Sequence, residues 1–289
     1  MNRKGIILAG GQGTRLFPIT KIISKQLLPV YDKPMIYYPL STLMASGIKE
    51  ILIITNPNDQ YMFKKLLGNG NQWGIKISYE NQESPAGIAQ ALIIAEKFLD
   101  KHPSALILGD NIFYNESIIN LLSVDKYENN HATIFGYKVK NPNRYGVLEF
   151  DKNDKVLDIE EKPDNPKSSY VVTGLYLYDS KATELAKKLK PSKRGELEIT
   201  DLNKIYLQNS ELSLVKLDKS FIWFDSGTHS SLNDVSNFIC NLQYKNNNII
   251  ACPEEIAYKK GWIDSKMVRK IIKENDNNLG NYLKKILSI

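Results

Sequence analysis

Lys4-Gly5-Ile6-Ile7-Leu8-Ala9-Gly10-Gly11-Gln12-Gly13-Thr14-Arg15-Leu16 is the stretch on which the class of fold turns. Residues 4–8 form a short, β-branched apolar run, the pattern of a strand buried on both faces. Glycines at 10, 11 and 13 follow at its carboxyl end, where open α/β sheets bind their ligands. Glycines this close together let backbone N–H groups crowd around an anion that side chains would keep away. The pattern lacks the third glycine of the dinucleotide fingerprint, and no Gly-Lys-Ser/Thr closes it as a P-loop. On glycines alone, a plain turn between strand and helix reads equally well.

Working outward, further strand patterns fall at 50–54, 75–79 and 104–108, and helical patterns at 39–46, 60–67 and 87–99, with Gly47 and Gly68 as stops. This alternation predicts parallel strands joined by crossover helices. From about residue 132 strands succeed one another without helices, at 132–139, 147–150, 156–159 and 170–178. Helical patterns return at 180–189, at 201–208 behind Thr200 as N-cap, and at 230–244. Asn246-Asn247-Asn248 reads as a loop before a helical tail that starts near Asp264. The expected architecture is α/β: a Rossmann-like doubly wound mixed sheet, with added β-strands covering the active site and a helical C-terminal tail. A core over 1–240 is expected to divide near residue 130, with a second part over 131–228, followed by a helical extension over 241–289.

Of the 289 residues, 42% are hydrophobic and 24% charged, which suits one compact body. The formal charge of +6 suits polyphosphate ligands as well as nucleic acid, and no block of five or six consecutive basic residues singles out the latter. We therefore expect no nucleic-acid partner. Cys240 and Cys252 make neither a disulfide framework nor a zinc pattern. The apolar run 6–9 is too short for a signal peptide, and no run of about 18 apolar residues appears, so a cytoplasmic protein without membrane contact is expected.

A second segment, Ser24-Lys25-Gln26-Leu27-Leu28-Pro29, sets a lysine and a glutamine before an apolar pair and a proline, a poor fit to a solvated helix. Lys25 there suits a phosphate. The glycine loop with Pro18, together with 25–40, resembles the sugar-phosphate nucleotidylyltransferases. The likeness extends through Gly109-Asp110-Asn111, Arg144-Tyr145-Gly146-Val147, Glu160-Glu161-Lys162-Pro163, Thr173-Gly174-Leu175-Tyr176 and residues 194–201. Within that family it points to members that join dTTP and glucose 1-phosphate with release of pyrophosphate, using Mg²⁺ and assembling as homotetramers.

The resemblance implies a division of labour. Arg15 and Lys25 grip the triphosphate, and Lys162 holds the sugar phosphate. Leu8, Gly10, Gly11, Gly13, Thr14, Gln26, Gln82, Pro85 and Gly87 surround the nucleotide, Gln82 offering an amide to the base. Asn111, Tyr145, Gly146, Glu161 and Val172 surround glucose. Asp110 and Asp225 hold the metal, although taken singly each aspartate reads as a turn or cap residue. Two positions depart from the family pattern: Ala86 stands where relatives carry aspartate, and Ser226 where they carry threonine. A second, regulatory nucleotide site drawing on 114–117 and 217–221 is expected to be weak, because Lys219 lacks arginine's fork and Asp218 and Glu116 repel phosphate.

Other readings stay open. A glycosyltransferase would carry Asp-x-Asp, where this chain has Asp110-Asn111-Ile112. A nucleotide-sugar sensor need not keep Arg15, Lys25, Asp110 and Asp225. A uridylyltransferase using UTP is the nearest rival. The apolar tail residues Trp262, Ile263 and Ile271 are candidates for a subunit interface.

Overall fold

The computed structural model describes residues 3–115 and 131–288, and Glu116 and Ser117 of the expected regulatory segment lie outside them. In chain order the strands are β1 (Lys4–Ala9), β2 (Pro29–Val30), β3 (Lys33–Pro34), β4 (Glu50–Thr55), β5 (Lys76–Asn81), β6 (Ser104–Leu108) and β7 (Asn111–Tyr114). They continue with β8 (Ala132–Lys138), β9 (Gly146–Phe150), β10 (Val156–Glu161), β11 (Tyr170–Tyr178), β12 (Leu212–Lys216) and β13 (Ile222–Asp225).

β5, β4, β1 and β6 lie side by side and parallel. Beside β6, antiparallel β11 carries both β8 and β9, which β12 and β10 extend into a nine-stranded mixed sheet. Successive residues of a strand point to opposite faces. Ile7 accordingly packs with Ile51, Ile53 and Ile107 beneath the helices Tyr37–Ala45 and Gln60–Leu67. Ile6 packs with Leu52, Ile54 and Leu106 against Ala91, Leu92, Ala182 and Leu202 of the helices on the other face. Both faces being covered, the central strands read as unbroken apolar runs, each fully buried isoleucine contributing about 1.5–3 kcal/mol.

Several local expectations need correction. The helix read over 87–99 starts at Gln90 and breaks into Gln90–Ile94 and Glu96–Leu99. Gly87, at φ 104°, lies against Leu197, and the Ala89 N–H bonds Leu197 O, so the first residues cannot join the helix. Thr200 is not an N-cap: Glu198 holds that position for the helix Ile199–Gln208. The helix read over 180–189 spans only Ala182–Lys187. β7, β12, β13 and the helix Pro253–Lys259 escaped the sequence reading.

Asp264 caps the helix Ser265–Glu274 through the Met267 N–H, where the tail was expected to begin. Ile263 and Ile271, expected at a subunit interface, are spent in the chain's own core with Val268 and Leu283. Trp262 is partly buried under the Lys49 ammonium, 5.1 Å from its ring centre. No helix among the described residues is long and apolar enough to cross a membrane.

Candidate active site

The chain leaves β1 at Ala9 and turns through the glycine loop at the carboxyl edge of the sheet. Gly13 adopts φ 62°, which an L side chain resists, and opens the short helical turn Thr14–Leu16; its carbonyl accepts from Thr20 Oγ1 at 2.7 Å. A Cβ on Gly10 would stand 2.3 Å from Gln82 Oε1, so only glycine admits that amide. Gly11 faces open space, and Thr14 and Arg15 are exposed beside it. The loop therefore presents a glycine backbone and a guanidinium on one accessible rim.

Gln82 is buried, and its Nε2 donates to Gln90 Oε1 at 2.7 Å and to Gly87 O at 3.3 Å. The loop bearing exposed Pro85 is tied to a distant segment by Leu197 N–H to Ala86 O, 2.8 Å. That segment is itself braced: Glu198 accepts from Ser192 Oγ at 2.7 Å and from Arg194 Nε at 3.1 Å. Arg194 and Glu198 carried no assigned role in the sequence, because nothing local shows that they support a loop a hundred residues earlier.

The two aspartates meet through a small antiparallel pair. β7 and β13 align Asn111 with Asp225, and the Ser226 N–H donates to Asp110 O at 3.2 Å. Lys25 Nζ forms an ion pair with Asp110 Oδ2, while Asn111 Nδ2 donates to Oδ1 at 2.9 Å. Burial alone would raise the Asp110 pKa, but the Lys25 charge and hydrogen bond outweigh it and hold the carboxyl below its usual range. Asp225 goes the other way, pushed up by burial and by the Asp110 charge against the pull of Lys25, Arg15 and Arg144. Burial, together with the charge of Asp225, pushes the Tyr145 phenol up to about 12. Two carboxylates brought together by one strand pair, the charge of Asp110 raising the cost of ionising Asp225, fit a divalent cation that takes one or two protein oxygens and completes its shell from phosphates and water. Among the described residues no cluster of three or more His, Cys, Asp or Glu offers an all-protein cage.

Across the cleft, β9 and β10 align Gly146 with Glu161. Thr200 Oγ1 donates to Glu161 Oε2, fixing the carboxylate expected beside glucose. A Cβ on Gly146 would come 3.1 Å from the Thr200 hydroxyl and 3.5 Å from Glu161 Oε2. Lys162 follows with φ 46° directly before Pro163, a strained backbone for a lysine, held by its N–H to Tyr145 O at 3.0 Å. Its side chain is 44% exposed, with the ammonium 3.6 Å from Glu161 Oε1. Strain that presents a charged side chain beside a fixed carboxylate is characteristic of ligand clamps.

Not every expected residue faces this cleft freely. Asn111 is buried, its Oδ1 accepting from Trp223 Nε1 at 2.7 Å and from the Gly174 N–H at 3.0 Å. It braces β7 against the irregular stretch of β11 between Val172 and Tyr176, and Val172 itself is largely buried. Gln26 is buried too, its Oε1 accepting from Ser24 Oγ at 2.8 Å, while Leu8 is half-buried at the end of β1. Away from the cleft, a cavity of about 450 Å³ lined by Tyr38, Thr42, Phe113, Tyr114, Asn115 and Ile256 adjoins the first expected regulatory segment. In the second, Asp218 is engaged within the chain by the Ser220 N–H and hydroxyl.

Comparison with known proteins identifies the family. Residues 4–241 match the model of the nucleotidyl transferase family. A glucose-1-phosphate thymidylyltransferase of Xanthomonas campestris pv. campestris is 54% identical over 282 residues, covering 97% of this chain and 96% of its own. One from Neisseria meningitidis serogroup A is 53% identical over 285 residues, covering 98% and 99%. A crystal structure from Bacillus anthracis, assigned as a glucose-1-phosphate thymidylyltransferase and holding sucrose, superposes with a TM-score of 0.75 at 43% identity, over 82% of this chain and 95% of that one. A UDP-glucose pyrophosphorylase with UDP-glucose superposes with a TM-score of 0.71 over 85% of this chain and 100% of that one; at 24% identity it bears on the fold alone.

Proposed function

The chain belongs to the nucleotidyl transferase family, and from that membership we infer that it transfers dTMP from dTTP to α-D-glucose 1-phosphate, releasing pyrophosphate and forming dTDP-glucose. The observation that carries the reading is a continuous set of contacts: Lys25 pairs with Asp110, the β7–β13 pair brings up Asp225 with Arg15 beside it at Gly227, and Tyr145, packed on Trp223, accepts the N–H of Lys162 next to Glu161.

In this reaction a sugar-phosphate oxygen attacks the α-phosphorus of the triphosphate. A phosphate monoester with a second pKa near 6 is already a dianion at neutral pH, so the protein needs no general base. Repulsion is the obstacle, since two unit charges 4 Å apart cost about 4 kcal/mol at an effective dielectric of 20. Arg15 and Lys25 supply opposing charge at the triphosphate, and Lys162 draws in the sugar phosphate. Asp110 and Asp225 would hold Mg²⁺, which when bound adds positive charge against the phosphate oxygens. Gln82 receives the base beside Leu8, Pro85 and Gly87, while Glu161, oriented by Thr200, accepts from sugar hydroxyls. Tyr145, Gly146 and Val172 shape the sugar side, and buried Asn111 supports it from behind. Residues up to about 130 form the nucleotide-binding part, 131–228 the sugar-binding part, and 241–289 an extension. Assembly as a homotetramer and a cytoplasmic location rest on the family likeness.

Substrate choice tests the reading. Initial rates of pyrophosphate release with glucose 1-phosphate, at equal concentrations of dTTP and UTP, are expected to favour dTTP; equal or faster turnover of UTP would assign the chain to uridylyl transfer instead. A second test addresses the base pocket. Gly10→Ala should raise the dTTP KM by roughly tenfold, the scale of loss that small displacements of site groups produce, because the new methyl must push Gln82 aside. An unchanged dTTP KM in the folded variant would remove Gln82 from the base site.

A further inference from the structure

Asp110 and Asp225 are unequally partnered, and the inequality concerns Arg144, a residue with no part in the reading above. Lys25, on Asp110, has a side chain only 6% exposed. Arg144, on Asp225, is 44% exposed, and its Nη2 stands 3.7 Å from Oδ2, beyond direct hydrogen-bond contact. It sits at the end of the surface turn Pro142–Arg144, with its guanidinium 6.0 Å from the centre of the Tyr145 ring. One cation is built into the site and the other leans on it from solvent.

We propose that Arg144 is an exchangeable counter-ion: it neutralises Asp225 in the free protein, is displaced when a divalent cation binds the two aspartates, and is then available to the phosphates that accompany the cation. The inference rests on the reading that Asp110 and Asp225 hold a divalent cation. Its geometry is specific, since the β7–β13 pairing sets Asp225 opposite Asn111 and so holds its backbone in place when the arginine leaves. The Arg15 guanidinium shares the wall formed by Gly227: a Cβ there would meet Arg15 Nη2 at 2.7 Å and Asp225 Oδ1 at 2.9 Å. Arg15 and Arg144 thus both stand beside Asp225, so phosphates arriving with the cation would meet two guanidinium groups there.

The test is Mn²⁺ binding to the full-length protein without nucleotide, read as free Mn²⁺ by electron paramagnetic resonance. Arg144→Gln should bind Mn²⁺ tighter than the native chain by roughly fivefold, the factor corresponding to loss of a competing surface ion pair worth about 1 kcal/mol. Arg144→Lys, which keeps the charge, should return to the native affinity, and raised salt should shrink the difference between native and glutamine forms. Unchanged or weaker Mn²⁺ binding by Arg144→Gln would overturn the proposal, because a residue that merely supports the site cannot tighten it by being lost. Asp225→Asn separates the two levels of the argument: if it binds Mn²⁺ as the native chain does, the metal reading fails, and Arg144 falls with it.

Discussion

Asparagine at position 110 or 225 is expected to lower turnover at least about tenfold, with a raised requirement for Mg²⁺, and a chelator should abolish activity in the native chain. Each substitution keeps the side chain's size and removes one of the two charges brought together by the β7–β13 pair. Divalent cations in such sites supply several kcal/mol of charge stabilisation, so a tenfold loss, about 1.4 kcal/mol, is a lower bound. Asp110→Asn should be the worse of the two, because it also frees Lys25 from the ion pair that fixes its ammonium. Pyrophosphate release at varied Mg²⁺ reads both effects. Near-native rates with an unchanged Mg²⁺ dependence would strike the substituted residue from the metal site.

Removing the cations should separate binding from chemistry. Arg15→Ala is expected to lower kcat by roughly a hundredfold, the usual scale for losing one preorganised partner of transition-state charge. Lys162→Ala should mainly raise the KM for glucose 1-phosphate, with a smaller effect on that for dTTP, since its ammonium stands beside Glu161 on the sugar side of the cleft. Steady-state kinetics with each substrate varied in turn distinguishes the patterns, and finding them exchanged would reverse the two assignments.

The parts of the fold legible in the sequence were those with local causes. β1, β4 and β6 are buried on both faces and so appear as short apolar runs bounded by turn residues. The position of Asp110 at a strand end was legible for the same reason. β13 escaped the sequence reading, because its pairing with β7 depends on residues far away in the chain.

Supporting contacts were hidden more deeply. Thr200 looks like an N-cap by its place before a helical pattern, yet its hydroxyl is used on Glu161 and the cap passes to Glu198. Asn111 is expected beside glucose, yet Trp223 and Gly174 occupy its carbonyl oxygen. Ile263 and Ile271 look available for a subunit contact only while the fold that covers them is unknown. In each case the sequence shows the chemical capacity of the group, and tertiary contacts decide where that capacity is used.

The central claim is attack by a phosphate oxygen of glucose 1-phosphate on the α-phosphorus of dTTP in the cleft between the glycine loop and Lys162. Its most direct test starts from glucose 1-phosphate carrying ¹⁸O in its phosphoryl oxygens, incubated with dTTP, Mg²⁺ and the protein, with the products followed by ³¹P nuclear magnetic resonance. The account predicts dTDP-glucose with ¹⁸O on the glucose-side phosphorus and in the bridge to the thymidylyl phosphorus, together with unlabelled pyrophosphate. Label in the pyrophosphate, or a bridge oxygen that came from dTTP, would contradict it.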